Sequence, residues 1–304
     1  MSNGKEIQQI KKDGEQSNKW LNFIKVTKEI KSIAFENQRG LKLDLTNVNA
    51  LITGGSQGLG LEIAKLLQQK GCTVIIVDII KPKDLVQCHS NVFYYKCDIS
   101  SIFEVRKLHL QVRLKHGLIS LLINNAGVTK IGCLQEMTNE DIDRVMKINL
   151  WGAYLITSTF IDDLLLEKQG FIVNIASILG CISPARLSTY CASKGGQIMF
   201  HKCLANFLED INSTRGKKVG ALLVCTGKIK TTMFAKVETP SHILAPDICP
   251  VKLAERIVEA VETGEQYNLK YPYYTNLIGV VMKFDWHYRS IIKNISGMNN
   301  STAT

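Results

Sequence analysis

None of the nine cysteines stands in a C-x-x-C pair. Neither a zinc ribbon nor a dithiol redox centre is therefore written into the chain. An odd, unpatterned set of thiols, several inside apolar runs, reads as reduced cysteine in a cytosol-like compartment. The N-terminus lacks the apolar stretch of a secretory signal. No run reaches the roughly 18 apolar residues that span a bilayer, so any membrane contact is expected at the surface. Zinc-finger spacing and the RNA-binding aromatic signature are also missing, which sets nucleic acid aside as a partner. There is no internal repeat of solenoid period.

Positive charge is plentiful. The formal net charge is +10, and much of the excess lies in residues 1–45, at Lys5, Lys11, Lys12, Lys19, Lys25, Lys28 and Lys31. Apolar residues such as Ile7, Ile10, Trp20, Phe23 and Ile24 sit among them at loosely helical spacing. Two readings stand for this extension: an arm or helix laid over the domain, or a basic amphipathic segment lying on a membrane.

From residue 46 to 270 the chain reads as one domain. Near-continuous apolar runs predict strands at 48–53, 73–78, 92–96, 121–124, 171–176 and 219–225. Between them, helical patterns cover 59–70, 102–115, 139–168 and 187–208, with a further helix over 251–263. Such alternation predicts an α/β fold: a doubly wound parallel sheet with helices on both faces. Residues 271–304 form an apolar and aromatic stretch followed by a polar tail. It reads as packing on the domain, as a dimer contact, as a membrane-surface contact, or as a lid over a greasy substrate.

The segment from Thr53 to Gly60 follows the first strand and opens a helix, the context that gives a glycine-rich turn its meaning. Gly54 permits a tight turn, Gly58 lets backbone approach a pyrophosphate, and Gly60 lets helix and strand pack closely. The helix N-terminus then offers free N–H groups and partial positive charge to phosphates. Asp78 ends the second strand, 24 positions past Gly54. An acid there accepts ribose hydroxyls and repels a 2′-phosphate. With Gln57 in the turn and no cation before Lys81, NAD(H) is favoured and NADP(H) is the second choice. Asp98 either bonds an adenine edge or, like Ser100, caps the helix that follows.

Asn124, Asn125, Ala126 and Gly127 close the fourth strand, where small and amide side chains suit a ligand-facing wall. Asn149 interrupts an apolar helix; buried, it must serve as structural glue or as part of a polar relay. Ser177 ends the fifth strand. Tyr190 and Lys194 stand four apart on one helix face. A free phenol has a pKa of about 10, and a neighbouring ammonium is expected to bring it into working range as an acid/base.

Together these motifs resemble the short-chain dehydrogenase/reductase family. They are T-G-x-x-x-G-x-G over Thr53–Gly60, N-N-A-G over Asn124–Gly127, Asn149, Ser177 and Tyr190-x-x-x-Lys194. The resemblance implies a Rossmann-type sheet of about seven strands in the order 3-2-1-4-5-6-7. It implies Tyr190 as acid/base, Lys194 lowering its pKa and bonding the nicotinamide ribose, Ser177 positioning the reacting oxygen, and Asn149 supporting a proton relay. Cofactor contacts are implied for Gly54, Ser56, Gln57, Gly58, Leu59 and Gly60 in the turn, and for Asp78, Asp98 and Ile99 on the adenosine side. Asn125, Ala126, Gly127, Tyr190, Lys194, Gly227, Ile229 and Thr231 complete the expected set. No metal is implied. One departure is Thr226-Gly227 where the family carries Pro-Gly; without the fixed proline dihedral the following loop is expected to be looser.

Within the family, the Tyr190–Lys194 sequence and the basic flanks are similar to the subgroup handling retinoids, steroids and other lipophilic alcohols, and to its fungal relatives. The function implied is reversible hydride transfer between a nicotinamide cofactor and a lipophilic alcohol, ketone or aldehyde. A homodimer and residence on the cytoplasmic side, at endoplasmic reticulum or lipid droplets, are further expectations. The rival readings are a non-catalytic binding or scaffold protein and a protein whose main task is anionic lipid.

Overall fold

Seven segments of the chain align into one parallel sheet. They are β1 (Asn49–Thr53), β2 (Thr73–Asp78), β3 (Val92–Lys96), β4 (Leu121–Asn124), β5 (Gly170–Ser177), β6 (Val219–Thr226) and β7 (Tyr267–Tyr271). Their order is β3-β2-β1-β4-β5-β6-β7, and every pairing is parallel. The structure is a computed structural model, and it describes residues 41–83, 90–235, 246–277, 285 and 287.

The apolar runs are continuous because both faces of the sheet are covered. Successive residues point to opposite faces. Ala50, Ile52, Val74 and Ile76 pack on one side with Ile63 and Leu67 of α1 (Gly58–Gln69) and Leu253 and Ile257 of α6 (Pro250–Thr263). Leu51, Ile75 and Ile172 face the other side. There they meet Val105, Leu108 and Val112 of α2 (Ile102–His116), Ile156 and Phe160 of α4 (Ala153–Leu166), and Leu204 and Leu208 of α5 (Ser188–Arg215).

The expected helix over 139–168 is not uniform. It divides into α3 (Asn139–Met146), a π-helical stretch Lys147–Gly152 and α4. Such stretches widen a helix by one residue per turn and recur at functional sites. Gly152 closes this one against Ile99, whose side chain leaves no room for a Cβ.

β7 had no counterpart among the strands read individually from the sequence. Its residues Tyr-Asn-Leu-Lys-Tyr form a short edge strand rather than an apolar run. The domain also begins before residue 46, since Leu43 and Leu45 are already buried in the core. At the other end Tyr271 is still in β7 and Thr275 is buried, so the start of the tail packs on the domain. Residues 1–40 and most of 278–304 lie outside the described residues. Among the described residues, no helix is long and apolar enough to cross a membrane.

Candidate active site

All strands of a parallel sheet end on the same edge, and ligands gather where the strand order reverses. Here that point lies between β1 and β4. The turn after β1 places Gly54 at φ +65° and Gly58 at φ +55°, a left-handed conformation that glycine adopts without cost. A Cβ on Gly54 would stand 2.8 Å from the Ala126 Cα. Gly60 lies so close to the Gly54 carbonyl that a side chain has no place. Asn125 fastens the turn, its amide donating to the Thr53 carbonyl at 3.0 Å and the Gly54 carbonyl at 2.9 Å. Gln57, at the N-cap of α1, makes no side-chain cap, and the first turn carries no acid. First-turn N–H groups are thus left for an anion, and the turn fits a pyrophosphate.

Asp78 reaches this turn from β2. Its carboxylate accepts from the Ser56 N–H at 3.1 Å and the Ile80 N–H at 3.1 Å. Asp98 accepts from the Ser100 N–H at 2.9 Å and hydroxyl at 2.8 Å. The cap of α2 is neither residue but Ser101, which accepts from the Glu104 N–H.

A cavity of about 340 Å³ runs along this edge. Gly54, Gln57, Gly58, Leu59, Asp78, Asp98 and Ile99 line it, together with Asn125, Ala126 and Gly127. Tyr190, Lys194, Gly227, Ile229 and Thr231 line the remainder. Ser56 and Gly60 are not among the lining residues. Ser56 lies behind the wall, its hydroxyl bonded to the Ile80 carbonyl, and Gly60 serves helix packing. Both build the turn rather than face the cavity.

Tyr190 is buried near the start of α5. The Ser177 side chain lies beside its phenol; the Ser177 hydroxyl donates to the Thr226 carbonyl at 3.4 Å and accepts from the Leu179 N–H at 3.1 Å. Lys194, one turn on, holds its Nζ 5.9 Å from the centre of the Tyr190 ring. That Nζ donates to the Ile175 carbonyl at 2.9 Å and to Gln197 Oε1 at 2.8 Å. Asn149 sits in the π stretch, fully buried. Its amide donates to the Val128 carbonyl at 3.0 Å and the Ser193 hydroxyl at 2.9 Å, and accepts from the Val128 N–H at 2.8 Å. Its side chain therefore locks the wall after β4 to α5.

The electrostatics correct the expectation for the phenol. Burial dominates and pushes the Tyr190 hydroxyl above its usual range; Ser177 draws it only partly back. Burial also lowers the Lys194 ammonium to about 8. Removing charge from water outweighs what Ser177 returns, so the phenol rests as a neutral acid.

Thr226 is the last residue of β6. Its backbone continues the ladder, paired with Tyr271, and the Gly227 N–H donates to the Tyr271 carbonyl at 3.0 Å. Beyond it Lys230 and Ile248 are joined at 2.9 Å, and Lys228 pairs with Asp247 at 3.3 Å. Thr231 is carried over the glycine turn, within 3.3 Å of where a Cβ on Gly58 would lie.

Sequence reasoning missed Phe234 and Gln197. Phe234 stands edge-on to Tyr190 at 5.6 Å, in a loop whose sequence carries no periodic signal. Gln197 shared its signal with Lys194, being three positions further along the same helix face.

The comparisons agree with this geometry. The family model for short chain dehydrogenases matches residues 48–241. An uncharacterized oxidoreductase of Saccharomyces cerevisiae is 47% identical, over 85% of this chain and 84% of its own. Human retinol dehydrogenase 10 is 30% identical, over 75% of this chain and 67% of its own. A short-chain dehydrogenase/reductase from Burkholderia phymatum, solved in complex with NAD, superposes with a TM-score of 0.68 at 21% identity. That likeness covers 82% of this chain and 96% of the other. Sheet order, glycine turn and family match together make the chain an oxidoreductase of the short-chain dehydrogenase/reductase family, which uses nicotinamide cofactors.

Proposed function

We propose that the protein catalyses reversible hydride transfer between a nicotinamide cofactor and the C–OH or C=O group of a lipophilic alcohol, ketone or aldehyde. The carrying observation is the Tyr190 phenol. It lies beside Ser177, has the Lys194 ammonium over its ring and packs among the apolar Phe234, Leu187, Ile131 and Leu179. Met233 and Phe234 in the cavity lining support a greasy substrate, and so does the likeness to a retinol dehydrogenase.

The bound cofactor supplies or takes up the hydride. In the reducing direction Ser177 holds the carbonyl oxygen and Tyr190 gives that oxygen its proton. The Lys194 ammonium stabilises the phenolate left behind. In the oxidising direction the same phenolate recovers a proton from the alcohol. Lys194 also reaches the cofactor side of the cavity, where its Nζ can donate to a ribose hydroxyl. Asn149 holds the wall and the helix in register for this exchange.

NAD(H) is the preferred cofactor in this reading, with NADP(H) second. Asp78 presents a carboxylate beside the glycine turn, and Ile79 and Ile80 follow it. A 2′-phosphate there would meet negative charge.

The remaining partners follow from surface chemistry. Trp151 and Tyr154, stacked at 5.9 Å, are half exposed on the π stretch and α4. Met199 and Phe207 are exposed on α5; this face supports a homodimer. The basic extension supports contact with an anionic membrane surface on the cytoplasmic side, at endoplasmic reticulum or lipid droplets. Nucleic acid is not expected.

A panel of long-chain and cyclic alcohols and ketones, assayed with NAD(H) and NADP(H), tests the reading. Turnover of apolar members with NAD(H) is expected. Silence across the panel despite measurable NADH binding would favour a binding protein.

A further inference from the structure

We propose that Gln197 is a positioning residue for the acid/base centre: its carbonyl holds the Lys194 ammonium against the sheet and keeps it charged. The inference rests on the functional reading above and adds a residue to its site.

The geometry is direct. Gln197 Oε1 accepts from Lys194 Nζ at 2.8 Å, and the Ile175 carbonyl accepts from the same Nζ at 2.9 Å. These two acceptors fix the cation from the helix side and the strand side. Both residues are buried, Gln197 at 1% exposure and Lys194 at 4%. In so dry a place a hydrogen bond to an ion is strong and sensitive to its partner.

Gln197 is an odd choice for packing alone. Its Nε2 is buried and has no hydrogen-bond partner among the described residues. An orphaned amide N–H costs stability, whereas an apolar side chain of similar size would cost none. Ile198 and Leu204 of the same helix pack in the core without such a cost. The carbonyl half of the amide is therefore what the site uses, and the ammonium is what it serves.

The effect on Lys194 has a definite sign. Burial lowers its pKa to about 8. A carbonyl that accepts from the charged form favours that form. Removing it lets the ammonium deprotonate at still lower pH. The titratable groups facing Lys194 are the Tyr190 phenol on its own helix and the Cys225 thiol from β6. The first lies above its usual range, and the second is pushed up to about 12. Neither competes with Lys194 for the alkaline limb of activity near pH 8.

The experiment measures pH–rate profiles of full-length wild type, Q197M, Q197E and Y190F with NAD(H) and an apolar alcohol or ketone. Thermal unfolding of each is followed in parallel. Q197M should retain or raise the melting temperature, yet move the alkaline limb about one pH unit toward acid. That shift is a loss of about tenfold in rate at pH 9 with little change at pH 6.5. Q197E should move the limb the opposite way, because a carboxylate holds the ammonium more firmly. An unshifted limb in a folded Q197M, with Y190F inactive, overturns the role of Gln197 alone. Retained turnover in Y190F overturns the underlying functional reading instead. A uniform loss of rate at every pH with a lowered melting temperature reduces Gln197 to a structural residue and overturns the proposal.

Discussion

The side chain of Ser177, at the end of β5, lies beside the phenol of Tyr190 on α5 and offsets part of the rise that burial imposes on that hydroxyl. Replacing Ser177 with alanine removes a group that would orient the reacting oxygen. Its kcat should fall about 10²- to 10³-fold, while cofactor affinity stays within a factor of about two. Steady-state kinetics with a cofactor titration by fluorescence would check this.

Asp78 makes a testable bond. Alanine at this position removes the charge that opposes a 2′-phosphate, and the preference for NADH over NADPH should fall by about tenfold. It also strips the Ser56 and Ile80 N–H groups of their acceptor, so NADH itself should bind more weakly. Dissociation constants for both cofactors decide it.

Gly60 fixes how closely α1 approaches the turn. A Cβ there would collide with the Gly54 carbonyl and the Asn125 amide. Gly60→Ala should destabilise the domain by about 1–3 kcal/mol and weaken cofactor binding at least tenfold, as the cradle is forced open. Chemical denaturation and calorimetric titration of the same variant read both effects.

His201 controls stability in acid. It is buried on α5, its Nδ1 accepting from the Asn174 amide at 2.9 Å, and burial pushes it down to about 4. Its ordinary value is 6.5, so between those two the unfolded chain carries the extra proton. Stability from this site is therefore full above pH 6.5 and is lost as pH falls toward 4, by about 3 kcal/mol in all. His201→Gln should flatten the unfolding free energy across that window, measured by urea titration at pH 4.5, 5.5 and 7.

Much of this site could be read without coordinates because its chemistry is bound to local rules. A glycine turn between an apolar strand and a helix can only be built one way. Tyr190 and Lys194 share a helix face by spacing alone. The first six strands showed themselves as apolar runs for the same reason: helices cover both their faces. β7 did not, because polar Asn268 and Lys270 interrupt its apolar positions. The π stretch around Asn149 was hidden, since adding one residue to a turn barely disturbs an apolar pattern. α5 runs on to Arg215 beyond the last expected residue, its final turns polar because they leave the core. The raised phenol could not be foreseen either. Spacing tells which charges are neighbours, but burial sets what each one costs.

The most direct test of the account is Tyr190→Phe, read by cofactor binding and by turnover together. The account predicts NADH binding within about twofold of wild type and a turnover loss of at least about 10³-fold. Turnover close to wild type in a variant without that hydroxyl would contradict it.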